Sequence, residues 1–65
     1  MNLVIAASLG KFDFIKESLN QPDADVNATD EYGDTALHAA CVAGRFDIAM
    51  HLVSKGADLN IQNKV

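Results

Sequence analysis

Laid over itself with a shift of 34 residues, the chain matches at one position after another. Leu3 falls on Leu37, Ala6 on Ala40, Gly10 on Gly44, Lys11 on Arg45, Phe12 on Phe46 and Asp13 on Asp47. Further along the shift drops to 33, where Asp25-Val26-Asn27 meets Asp58-Leu59-Asn60. One residue gained at Pro22-Asp23, opposite Gly56, accounts for the change. A period of this length means one supersecondary unit copied along the chain, each copy unable to bury its apolar face alone. Residues 30–62 hold a complete unit, and residues 1–29 a copy lacking its first turn. Asn63-Lys64-Val65 overlays Asp30-Glu31-Tyr32 and reads as the start of a third copy.

The residues at that period resemble the ankyrin repeat, a turn followed by two helices with a T-P-L-H-x-A signature. Here the signature reads Thr35-Ala36-Leu37-His38-Ala39-Ala40, and Gly33, Gly44 and the exit Gly56-Ala57-Asp58-Leu59-Asn60 match as well. The resemblance covers nearly the whole chain. It implies an all-α fold of ankyrin-type helix–turn–helix units with projecting β-turn or hairpin loops.

The residues themselves support the same reading. Asn2 to Leu9 is small and apolar almost all round, as suits a short helix packed on both sides. Met1 stands where the second copy has Thr35, so Asn2 is the candidate cap. Gly10 marks a left-handed stop. Phe12, Ile15 and Leu19 form one apolar stripe at helical spacing up to Asn20, and Pro22 closes that segment. From Asp23 to Asp34 no apolar periodicity exists, and Gly33 suits a turn with a positive backbone angle. Thr35 is placed to cap a helix running to Ala43, with Ala36 where the family has proline. Gly44 stops that helix. The next runs from Phe46 to Ser54 and is expected to bury Phe46, Ile48, Ala49, Leu52 and Val53, with Gly56 ending it.

Size and charge narrow the function classes. A chain of 65 residues buries little of its unfolded surface, and stacked units need about three copies for stability. Two units and a stub are therefore expected to be part of a longer array, to pack against a partner, or to self-associate through the uncovered C-terminal face. The net charge of −4, with no cluster of Lys or Arg, argues against nucleic acid and anionic membrane surfaces. A lone cysteine forms no internal disulfide, which suits the cytoplasm or nucleus. Leu3-Val4-Ile5-Ala6-Ala7 lacks the basic flank of a signal peptide and overlays a repeat helix. No stretch has the length to span a bilayer.

Three features invite a chemical reading. Asp23, Asp25, Asn27, Glu31 and Asp34 fall at the ligand positions of a calcium-binding helix–loop–helix. Ala28 occupies the glycine position, however, and Asp25-Val26-Asn27 recurs as Asp58-Leu59-Asn60 where no such loop follows. The repeat thus explains the pattern without a metal, and no cofactor is expected. His38 and His51 have no partner at zinc spacing. The resemblance makes His38 structural, bonding the turn backbone and linking neighbouring units, and leaves His51 exposed on the outer helix without a role. Cys41 is expected to be a small buried hydrophobe between stacked helices. No nucleophile, base and oxyanion donors assemble in the sequence, so the units are not read as an enzyme.

What remains is surface. The resemblance implies a concave face made of turn tips and the exposed side of each first helix. Position by position, these are Thr29, Glu31, Tyr32 and Asp34 at the tip, Val42 and Ala43 from the second unit, Ser8 and Leu9 from the first, and Lys64 from the next tip. Gly33, Thr35, Leu37, His38, Gly44 and Gly56 carry the structural motif. Tyr32 is either a binding anchor or a ring packed on the neighbouring turn. The expected function is a protein–protein interaction scaffold with an unidentified protein partner. An alternative is a substrate-recruiting appendage of a larger enzyme such as a kinase or ubiquitin ligase. Leu3-Val4-Ile5-Ala6-Ala7, Lys16-Glu17 and Pro22 to Asn27 are mildly similar to ankyrin units of mind bomb-type ubiquitin ligases.

Overall fold

The structure, a computed structural model, describes residues 2–61. The Lys64 tip and the start of a third unit at 63–65 lie outside the described residues. Four helices follow in order: α1 (Leu3–Leu9), α2 (Phe12–Leu19), α3 (Ala36–Val42) and α4 (Phe46–Ser54). No strand occurs among the described residues. The inner helices α1 and α3 pack on each other, α2 backs α1, and α4 packs on α3.

Small side chains make the inner contact possible. Ala6, Ala7, Ala36 and Ala40 are fully buried at the seam, where a larger residue would hold the two axes apart. The outer helices supply the volume. Ile15 from α2 and Ile48 and Leu52 from α4 join Leu37 in the core, each almost wholly removed from water. Burying one such side chain is worth about 1.5–3 kcal/mol, so these four carry much of a small core.

Local chemistry sets the ends of the helices. Asn2 takes the capping position of α1, its Oδ1 accepting from the Ile5 N–H at 2.8 Å. In α3 the Thr35 Oγ1 accepts from the His38 N–H at 3.3 Å. The His38 Nδ1 accepts in return from the Thr35 N–H at 3.0 Å, which closes a capping box with histidine in the usual Glu position. At the other end the Arg45 N–H donates to the Ala40 carbonyl at 2.8 Å and the Gly44 N–H to Cys41 at 3.2 Å. Gly44 makes this Schellman pair possible by taking φ 72°. The same pair of bonds closes α1 at Lys11–Ala6 and α4 at Ala57–Leu52. The segment α2 ends differently. Asn20 caps it in a right-handed conformation, and a turn from Gln21 to Ala24 over Pro22 carries the chain away.

Four burial expectations are corrected by the packing. Phe46 and Val53 are 69% and 48% exposed rather than buried, since nothing among the described residues lies on the far side of α4. Cys41 is likewise exposed, because α3 has a neighbouring inner helix on only one side. His51, expected to be exposed, is half-buried. Its ring stands edge-on to Phe12, with centroids 5.3 Å apart at 63°, so it ties the second helix pair to the first.

Candidate functional site

The loop before α3 is built around Asp30. Its carboxylate Oδ1 accepts from the Tyr32 N–H at 2.9 Å and the Asp34 N–H at 3.0 Å. Its carbonyl accepts from the Gly33 N–H at 3.1 Å, and its own N–H donates to the Asp34 carbonyl at 3.0 Å. Asp at the first position and Gly at the fourth is the signature of a tight turn, and Gly33 adopts φ 80° within it. The four bonds fix Glu31 and Tyr32 at the apex, where Tyr32 is 58% exposed.

The loop before it makes a contact within the stack. Asp25 Oδ1 accepts from the Asn27 N–H at 3.0 Å. That turn aims the Asn27 Oδ1 at the second unit, where it accepts from the Asp58 N–H at 2.8 Å. The link between helix pairs thus runs through Asn27 and through Phe12–His51. The Nδ1 of His38 is engaged with Thr35 within its own turn, which is the bond to the turn backbone expected of this residue. As an acceptor from the Thr35 amide, Nδ1 carries no proton and the ring proton sits on Nε2.

Between the front of α1 and α3 and the turn lies a groove of about 560 Å³. Of the residues that sequence reasoning assigned to a binding face, Ser8, Asp34, Val42 and Ala43 line it. Thr29, Glu31, Tyr32 and Leu9 are exposed outside its lining, Leu9 at 54%. Val42 is the most open apolar side chain of the face at 90% exposed. The groove also takes in Val4, Ile5, Cys41 and Leu59, which sequence reasoning left out. The signal for Ile5 was present, since Ile5 and Leu9 are one helical turn apart and share a side of α1. Cys41 was missed because it was read as buried between stacked helices, and Leu59 because it was read only as part of the exit from the second unit. The acids Asp30, Glu31 and Asp34 give this end of the groove a negative rim. Among the described residues no three His, Cys, Asp or Glu side chains converge to hold a metal ion. No helix among them is long and apolar enough to cross a membrane.

A family model described as ankyrin repeats, in three copies, matches residues 2–63. The chain belongs to the ankyrin repeat family. Ankyrin repeats are protein-interaction modules, and the four-helix, strand-free architecture is that of their stacked units. The chain is 44% identical over 59 residues to palmitoyltransferase akr1 of Schizosaccharomyces pombe, a match covering 91% of this chain and 9% of that protein. It is 41% identical over 63 residues to the ankyrin repeat-containing protein P1E11.10 of the same yeast, covering 97% and 30%. With the human oxysterol-binding protein-related protein 1 it shares 40% identity over 63 residues, 95% of this chain and 7% of that one. The chain therefore spans less than a third of the length of these relatives.

Proposed function

We propose that this pair of ankyrin units binds a protein segment along the front groove, with the turn at Asp30–Asp34 as one wall. The observation that carries this reading is an apolar groove with an acidic, hydrogen-bonded rim. Val42, Ile5 and Leu9 offer apolar area, while Tyr32 stands on a turn that four backbone-directed bonds hold rigid. Rigid aromatic anchors beside small apolar pockets are typical of binding hot spots. The acids favour a partner with Lys or Arg flanking its apolar residues, and they act mainly on association rate and salt dependence.

The units perform no catalysis in this reading. A second reading, a recruiting appendage of a larger enzyme, draws support from the palmitoyltransferase relative, of which the matching region is 9%. It uses the same groove, with the partner as the enzyme's substrate or regulator. A cytoplasmic or nuclear setting goes with both readings, supported by an exposed lone thiol at Cys41 that a reducing compartment keeps from oxidative coupling.

The test is selection of peptide ligands from a random library, followed by variants of the face. The expected ligands combine an apolar residue with Lys or Arg. Tyr32→Ala and Val42→Glu should each weaken them about tenfold, about 1.4 kcal/mol, with helicity unchanged. Lys16→Ala, on the outer helix, should have no effect. Unchanged affinity in both the turn variant and the groove variant would remove the proposal.

A further inference from the structure

The two inner helices carry opposite patterns of size along the front of the stack. In the overlay Ile5 of α1 corresponds to Ala39 of α3, Ser8 to Val42, and Leu9 to Ala43. Each pair sets a large side chain beside a small one. Ile5, Ser8, Ala39, Val42 and Ala43 line the groove, and Ile5, Leu9 and Val42 stand well exposed. The groove floor therefore has two shallow depressions, over Ala39 and over Ala43, walled by α1 on one side and Val42 on the other. They lie one helical turn apart, about 6 Å along α3. The Ser8 hydroxyl donates to the Ile5 carbonyl at 2.8 Å, so its hydrogen is committed inside α1. The charged side chains in the lining are Asp30 and Asp34, both at the end of the groove where α3 begins.

Width decides which backbone reaches the alanines. Ala6, Ala7, Ala36 and Ala40 are fully buried at the seam, and helices in such close contact have axes about 8 Å apart. A ligand helix, about 10–12 Å across, rides on Ile5 and Val42 and leaves the depressions empty. An extended segment is about 4.7 Å wide, and its same-side residues recur about every 6.6 Å, close to the step from Ala39 to Ala43. One further step in the same direction reaches the acidic end.

We propose that the groove selects an extended segment of the pattern basic–x–aliphatic–x–aliphatic, in either chain direction. The two aliphatic side chains sit over Ala39 and Ala43, and the Lys or Arg lies at the Asp30–Asp34 end. This rests on the groove reading given above and adds the residues that set its specificity. Ala39 and Ala43 fix the size of side chain admitted, and Ile5 is the wall that turns away an aromatic ring over Ala39.

The probes are fluorescein-labelled peptides with one Lys and two Leu in a Gly-Ser background, titrated by anisotropy. Peptides with the three residues at alternate positions should bind at least tenfold tighter than peptides of the same composition with the Leu residues four apart. Ala39→Leu and Ala43→Leu should each weaken the alternate peptide at least tenfold. Ala43 is exposed, so Ala43→Leu keeps the test open should Ala39→Leu fail to fold. Ile5→Ala should reverse the preference at the Ala39 position from Leu to Phe, a change that loss of stability alone does not produce. Equal affinity for the two spacings, or a preference for the four-residue spacing, overturns the proposal. So does full affinity in Ala43→Leu while Val42→Glu still weakens binding, and in that case the groove reading survives. If Val42→Glu has no effect either, the groove reading falls and this inference falls with it.

Discussion

His38 accepts the Thr35 amide through Nδ1 and closes the first turn of α3, whereas His51 lays its ring edge against Phe12. The Nε2 of His51 is shut off from solvent with no hydrogen-bond partner among the described residues. A buried polar atom without a partner costs about 1–3 kcal/mol, so His51→Leu, which keeps the apolar contact with Phe12, should leave stability unchanged or raise it by about 1 kcal/mol. A clear loss of stability in urea titration would show that the nitrogen has a partner after all. Gly44 presents the opposite case, a backbone demand with no steric one. A Cβ added there would meet nothing within 4 Å, yet φ is +72°. Gly44→Val should therefore cost about 1–3 kcal/mol through strain alone, and Gly44→Asn, which tolerates that region, should cost less. Equal losses for the two variants would mean that crowding and not backbone angle decides. Sequence reasoning located this glycine because a left-handed stop is a local property. It misjudged His51 because the environment of that ring is set by Phe12, far away in the chain.

At the scale of elements, the caps and stops were legible and the burial of the outer faces was not. Asn2, Thr35, Gly10 and Gly44 act on the backbone within a few residues, so their chemistry can be read from spacing. The exposure of Phe46, Val53 and Cys41 depends on whether another helix pair lies beyond α4 and α3. Periodicity marks such residues as apolar and packable without saying what packs on them. The loops fall between these cases. The Asp23–Asp34 stretch offered the oxygen pattern of a calcium loop, and the repeat of Asp-Val-Asn as Asp-Leu-Asn pointed to a structural use. The structure shows that use in the bond from the Asp58 N–H to Asn27 Oδ1. Asn27→Ala should cost about 0.5–1.5 kcal/mol, the usual net worth of one such bond. Asn27→Asp, which retains an acceptor oxygen, should recover most of it. Thermal unfolding of the two variants checks this, and an Asp variant as unstable as the Ala variant would mean that the amide group has another task. Asn27 joins the two loops in this way, a role that only their pairing in space could reveal.

For the molecule as a whole, the two helix pairs form one core by stacking, with Ala6, Ala7, Ala36 and Ala40 setting how closely the inner helices approach. The front of that stack is an apolar groove with an acidic rim. The fold and its kinship with ankyrin repeats were readable from the period of the sequence. A third of the groove lining, Ser8, Asp34, Val42 and Ala43, was readable too, because the front of α1 and α3 follows from helix geometry. The contributions of Cys41 and Leu59 emerge only when the exit loop and the open side of α3 are placed in space. We propose that protein segments bind at the front groove and not on the outer helices. Amide chemical-shift mapping of a library-selected peptide tests it most directly. Shifts should concentrate at Ser8, Tyr32, Asp34, Val42 and Ala43, with α2 and the outer face of α4 unchanged. Shifts confined to Phe46, Met50 and Val53, with Tyr32 and Val42 unmoved, would contradict it.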